Sequence, residues 1–306
     1  MRLRRTDLAG VLVVTTAGCC YAAATIAIKF AYRSGAGAGL VAWVRFAGAA
    51  VVLLALARVL GVARRPRPPT LRTLIGMGLV ASVVGGLFVG SLERIPASAS
   101  TLLLYAHPLM VALATTMLGR ERWSAGKGLA LALSTCGLVL VLGAPARGLD
   151  WVGVLMAVGA AVALATFVVL AQRGVVGVHP LFSSGIVQTT AALAFAPVAA
   201  ATGAVDLGRA PTSAMWIVGV ALITAAAVSL FLSAVERLGP TRASIGATVE
   251  PVVTVILGVS LLGETMTGVQ LAGGALVVAA VLILPLVEGK PVGATDLPAL
   301  GRTFDR

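Results

Sequence analysis

The chain has 306 residues, of which 59% are hydrophobic and only 11% charged, and its mean hydropathy is +1.03. Soluble domains carry roughly a quarter of their residues as charges, so water is not the main solvent here and a sizeable soluble domain is excluded. The formal charge of +12 does not indicate nucleic acid, because Lys and Arg lie between apolar runs instead of gathering on one solvated stretch with aromatics beside them.

The first apolar run follows Arg2, Arg4 and Arg5 and resembles a signal peptide, with Ala17-Gly18-Cys19 imitating the end of a lipoprotein cleavage site. It continues unbroken from Leu8 to Ala31, and Thr16 stands where such a site carries an aliphatic residue. An uncleaved first helix over 8–32 is therefore expected. Further runs predict spans over 38–62, 73–92, 95–118 and 124–144, then 151–173, 180–203, 213–235, 239–262 and 267–287. Each is close to the ~20 residues that cross about 30 Å of hydrocarbon. None alternates as barrel strands do, and in lipid only a helix satisfies every backbone group within its own segment. Cys19, Cys20 and Cys136 all fall inside these runs and are expected to be small buried packing residues.

Lys and Arg set the orientation. With the N-terminus inside, Arg58, Arg64, Arg65, Arg67, Arg72, Arg120, Arg122, Lys127, Arg173, Arg237, Arg242, Lys290, Arg302 and Arg306 join the N-terminal arginines on the cytoplasmic side. The opposite side receives Arg33, Arg94, Arg147 and Arg209. Both termini are thus expected in the cytoplasm, with an even number of spans.

An internal repeat organises the chain. Asp7-Leu8-Ala9-Gly10 matches Asp150-Trp151-Val152-Gly153, Glu93-Arg94 matches Glu236-Arg237, Pro108 matches Pro251 and Glu121 matches Glu264, all at one offset, 150 − 7 = 143, without a gap. Five helices per repeat is an odd number, so the second half enters the membrane from the opposite side and the two are inverted copies. The expected fold is an all-α polytopic membrane protein of ten transmembrane helices, with repeats at 1–148 and 149–287 and a cytoplasmic polar tail at 288–306.

Polar side chains deep in a span cost about 2.5–3.5 kcal/mol on insertion scales and are functional candidates by default. Tyr21, Thr25 and Lys29 follow one another at spacings of four on the first helix, and Arg45 lies inside the second. The offset sets Gln172 opposite Lys29 and Gln188 opposite Arg45, amides where the first half has cations. That asymmetry suits an anionic group on a substrate; the alternatives are a snorkelling Lys29 and a structurally paired Arg45. His107 and Glu250 are offset partners about twelve residues into their spans, each followed by a proline, Pro108 and Pro251. Proline removes a backbone donor and disfavours helical geometry just before it, so kinks there free carbonyls and open a polar cavity. Such a place holds a substrate or a proton, and a desolvated Glu250 is able to exchange one near neutral pH. A structural hydrogen bond for Glu250 and a neutral packing role for His107 stay open. Glu121 and Glu264, at helix ends after glycine, read as topological or capping residues.

No metal-ligand spacing, nucleophile elbow or nucleotide-binding loop occurs, so neither cofactor nor metal is expected and the chain does not read as an enzyme. Uphill transport would then draw on an ion gradient.

Arg45-Phe46, Pro108 followed by Gly119-Arg120-Glu121, and Glu250-Pro251-Val252 followed by Leu262-Gly263-Glu264, together with the duplicated five-helix plan, resemble the EamA family of the drug/metabolite transporter superfamily over nearly the whole chain. The resemblance implies an inner-membrane carrier, often an exporter of amino acids or other small metabolites, with a cavity between the halves. His107 departs from the apolar or small polar residue usual there, so no role transfers to it. The expected function is a secondary transporter of a small-molecule substrate in the cytoplasmic membrane, its halves rocking about a midplane cavity lined by Tyr21, Arg45, His107, Gln188 and Glu250. A proton is the expected coupling ion, and a homodimer stays open. A carrier or flippase for a lipid-like molecule is the alternative, with a membrane-bound enzyme behind it. Few aromatics are expected in the cavity, which argues against large aromatic drugs.

Overall fold

The computed structural model describes residues 5–64, 66–117, 125–143, 150–174, 177–201, 210–238, 243, 246–247 and 249–287, and among these all regular structure is helical. The described helices are α1 Arg5–Arg33, α2 Ala38–Val59, α3 Pro68–Arg94, α4 Ala97–Leu104, α5 His107–Met117, α6 Ala125–Gly143, α7 Trp151–Gly174, α8 Pro180–Ala201, α9 Ala210–Leu238, α10 Val249–Leu262 and α11 Gly268–Val287. Six of them, α1, α2, α3, α7, α8 and α9, are long and apolar enough to cross a bilayer, and shorter apolar helices accompany them. The chain is a multi-pass membrane protein. Arg2, Arg4, Gly119-Arg120-Glu121, the Gln172 side chain and the tail after Val287 lie outside the described residues.

The fourth predicted span is not one helix. It is α4 and α5, separated by a turn at Tyr105-Ala106. Pro108 therefore does not bend a continuous helix; it sits in the first turn of α5, and Pro251 likewise sits in the first turn of α10. The first turn is where a missing N–H and a fixed φ cost least.

The most extensive helix pairings are α1 on α9, α3 on α7, α2 on α8 and α6 on α11, while α10 packs on α1 and α4. Each of these pairs joins a helix before residue 148 to one after it. A buried cluster of Val14, Leu74, Met77, Val168 and Leu232 ties α1, α3, α7 and α9 together. Lipid tails are as apolar as leucine, so helix association rests on close packing of small residues more than on burial from water. At α6–α11 a Cβ on Gly137 would stand 2.6 Å from the Gly273 carbonyl oxygen, so glycine is what lets the backbones approach. The periphery is correspondingly greasy: Val51 and Leu155 are each 69% exposed.

The same physics corrects the expectation for the cysteines. Cys19 and Cys136 are exposed and Cys20 only partly covered, all three as free thiols. They sit on outward faces of α1 and α6, where a small apolar side chain is as well placed as in the interior.

Candidate functional site

Where the long helices meet, they enclose a cavity of about 110 Å³. Each helix offers it one face at helical spacing: Tyr21, Ala24, Thr25 and Ile28 from α1, Ala81, Val84, Gly85 and Phe88 from α3, Leu164 and Phe167 from α7, and Val228 and Phe231 from α9. Arg45 and Phe46 of α2, Val187 and Gln188 of α8, and Glu250 of α10 complete the walls, with Leu104, Tyr105 and His107 from the α4–α5 break and Ala247 just before α10. Gly85 makes room for the Phe46 ring, which a Cβ there would overlap.

Of the residues singled out in the sequence, Tyr21, Arg45, His107, Gln188 and Glu250 come together here. Lys29 does not. It lies at the end of the bundle, where its Nζ donates to the Ile95 carbonyl at 2.7 Å. The reason is helical phase: two steps of four residues carry Lys29 about 80° round the helix from Tyr21, whereas seven residues bring Ile28 back to within about 20°. The expectation of few aromatics is also corrected, since Tyr21, Phe46, Phe88, Tyr105, Phe167 and Phe231 all line the cavity.

The polar groups in the cavity fall into two kinds. Among the described residues Arg45 Nε is buried without a hydrogen-bond partner, and its guanidinium carbon lies 5.9 Å from the centre of the Phe46 ring. Gln188 is 3% exposed and lines the same space. Arg45 Nε thus keeps an unused hydrogen-bond donor. His107 and Glu250, 4% and 7% exposed, are instead tied into the helix breaks. Pro108 and Pro251 cannot bond the carbonyls four residues earlier, those of Leu104 and Ala247. His107 Nδ1 stands 3.1 Å from the Leu104 oxygen; a carbonyl only accepts, so Nδ1 carries the proton in this contact. The Tyr105 hydroxyl stands 2.5 Å from the Ala247 oxygen and 3.0 Å from Glu250 Oε2. The Tyr105 and His107 rings meet edge to face, centroids 5.4 Å apart.

Tyr105 was not singled out in the sequence, although a tyrosine three residues before a mid-span proline carries a signal, because a buried phenol needs a partner. The carbonyl it serves is 142 residues away, which no local pattern reveals.

A second polar cluster lies at the bundle end around Lys29. Arg33 Nη2 donates to the Leu262 carbonyl at 2.6 Å and Tyr32 Oη to the Val89 carbonyl at 2.7 Å. Glu264 accepts from the Ala97 backbone N–H at 2.7 Å and from the Ser98 N–H and Oγ at 3.1 and 2.5 Å. It caps the start of α4, a helix far from it in sequence, rather than the end of its own. Nearby, Arg94 and Asp150 form an ion pair at 2.6 Å between the end of α3 and the start of α7.

Comparison with known proteins places this geometry in a context. The model of the EamA-like transporter family matches residues 8–143 and again 151–285. An uncharacterized transporter of Archaeoglobus fulgidus is 28% identical over 213 residues, 69% of this chain and 76% of that protein. The uncharacterized inner membrane transporter YedA of Escherichia coli K12 is 28% identical over 264 residues, 83% and 85% of the two chains. The threonine/homoserine exporter RhtA of Salmonella typhimurium LT2 is 28% identical over 210 residues, 68% of each. A crystal structure covering 92% of this chain and 97% of its own superimposes with a TM-score of 0.62 at 22% identity, a likeness of fold.

Proposed function

The chain belongs to the EamA-like transporter family, and from that premise we propose that it is a secondary transporter exporting small zwitterionic or anionic metabolites, amino acids among them, by alternating access and with proton coupling at Glu250. The observation that carries this reading is the cavity itself, in which Arg45 and Glu250 line one space while Arg45 Nε has no partner among the described residues. A carboxylate on a guest satisfies Arg45, and an ammonium or hydroxyl suits Gln188 and Glu250. A volume of about 110 Å³ suits a small metabolite and falls below the roughly 300–1,000 Å³ of pockets for drug-sized ligands.

Inverted repeats at 1–148 and 149–287, followed by a tail at 288–306, supply the moving parts in this account. The family model matching twice supports the division. So do lining residues that stand 143 apart, such as Ala24 with Phe167, Phe88 with Phe231, Arg45 with Gln188 and His107 with Glu250. The pairing of α1 with α9 and α3 with α7 is reciprocal under the same offset. In this reading the halves rock about the cavity, both termini lie in the cytoplasm, and Lys29 and Glu264 mark the outer end. Export as the direction draws on the printed name of the Salmonella relative.

The test is solute flux in proteoliposomes of purified protein, screened over amino acids and small metabolites with and without a pH gradient, beside Glu250→Gln. Flux that responds to the gradient and loses that response in the variant supports the proposal. Flux of a lipid-like probe alone, or flux indifferent to both, contradicts it.

A further inference from the structure

The two helix breaks occupy equivalent places in the chain, and their chemistry differs. Leu104 and Ala247 are offset partners, and each loses its helical donor to a proline four residues on. At the first break the residue before the proline, His107, serves the orphaned Leu104 carbonyl with its own ring N–H. At the second that residue is Glu250, and an ionised carboxylate has no proton to give. The Ala247 carbonyl receives the Glu250 backbone N–H at 2.9 Å and is served on its other side by Tyr105, reaching in from the first break.

Tyr105 has one hydroxyl proton and two acceptors in reach. The carbonyl is the nearer, 2.5 Å against 3.0 Å to Glu250 Oε2. With the proton given to the carbonyl, the phenol oxygen turns a lone pair toward Glu250, and two oxygens at hydrogen-bond distance need a proton between them. Only the carboxylic acid form of Glu250 supplies it. The ionisable groups sharing the cavity with Glu250 are Tyr21 on α1, Arg45 on α2, and Tyr105 and His107 at the α4–α5 break. Of these, Tyr105 is the one within hydrogen-bond distance of the carboxyl.

We infer that Tyr105 positions the exchangeable proton of Glu250: it accepts from the carboxylic acid while donating to Ala247, and when that proton leaves, its hydroxyl turns to the carboxylate and releases the Ala247 carbonyl at the helix break. The balance is simple, one proton leaving Glu250 and none leaving Tyr105, whose O–H only changes acceptor. Release matters mechanically because the Ala247 oxygen lies 3.4 Å from where a Cβ on Gly18 would stand, at the contact between α1 and the start of α10. This inference deepens the reading of Glu250 as proton carrier and rests on it.

Difference infrared spectroscopy of reconstituted protein across a pH titration tests it without a known solute. The wild type should show the C=O stretch of a protonated carboxyl that disappears in Glu250→Gln, and Tyr105→Phe should move that band to higher frequency as the acid loses its acceptor. Absence of any Glu250-dependent band at every pH overturns the proton-carrier reading itself. A band that Glu250→Gln removes and Tyr105→Phe leaves unmoved overturns the role of Tyr105 alone. Should Tyr105→Phe fail to fold, fluorotyrosine at position 105 keeps the shape while weakening the oxygen as an acceptor. The same band should then shift, and an unshifted band overturns the inference.

Discussion

The protein holds two polar clusters within one apolar helix bundle, and they use their hydrogen-bonding capacity in opposite ways. At the bundle end, Lys29, Tyr32, Arg33 and Glu264 all spend hydrogen-bonding capacity on backbone groups of neighbouring helices. In the cavity, Arg45 Nε has no hydrogen-bond partner among the described residues, and Gln188 lines the same space. Inserting a polar group into a bilayer is costly in both places. At the bundle end the cost is offset by the fold; at Arg45 it is left unmet, as it is at buried hydroxyls outside the cavity such as Thr101 and Thr254, and what sets Arg45 apart is that it is a cation lining the cavity.

That contrast breaks most readily at Arg45. Arg45→Gln should weaken transport of an anionic or zwitterionic solute about thirtyfold or more, because removing one side of a buried charged hydrogen bond costs roughly 2–5 kcal/mol. Thermal stability in detergent should hold or rise, since a buried unpartnered donor disappears. Full transport by correctly inserted Arg45→Gln protein would put Arg45 in the structural class.

Glu264→Ala should do the reverse. It removes the cap on α4 and should cost about 1–2 kcal/mol of stability, read as a lower melting temperature, with solute affinity unchanged. Lys29→Met should be milder, roughly 0.6–1.7 kcal/mol, the range for interhelical hydrogen bonds in lipid, again with affinity unchanged. A large loss of affinity in either variant would merge the two clusters.

The smallest effect is expected at Asp150. The hydrogen bond from Arg94, helped by the Val152 N–H at 2.8 Å, holds its carboxyl below the usual aspartate range. A lowered folded value means the stabilisation is present above the ordinary aspartate pKa and fades as pH falls through the folded one. Asp150→Asn should therefore shrink the acid-side slope of stability slightly and leave neutral pH almost untouched. The pair is exposed, and exposed pairs contribute little.

How much of this was legible in the sequence follows the same division. Hydropathy marks segments, so six of the expected runs fall on helices long enough to cross a bilayer, with α2 at Ala38–Val59 against an expected 38–62, while the fourth is broken and most of 239–248 in the ninth lies outside the described residues. It does not mark which face meets lipid and which meets protein, because both are apolar, and so the cysteines were expected inside. Proline directly after a polar residue pointed to irregular backbone at His107 and Glu250. Helical phase separated Lys29 from Tyr21 and Thr25, a matter of about 80° that a count of fours hides. The partner of Tyr105 needed the tertiary pairing of α4 with α10, and the aromatic walls needed the convergence of α1, α2, α3, α7 and α9, which no window of sequence contains.

The central claim is that the cavity is a solute site reached from both sides of the membrane. Thr25 is buried, lines the cavity and is close in size to cysteine. In a background with Cys19, Cys20 and Cys136 replaced, Thr25→Cys should react with a membrane-impermeant thiol reagent in both right-side-out and inverted vesicles, and a transported solute should slow the reaction. Labelling from one side only, indifferent to any solute, would contradict it.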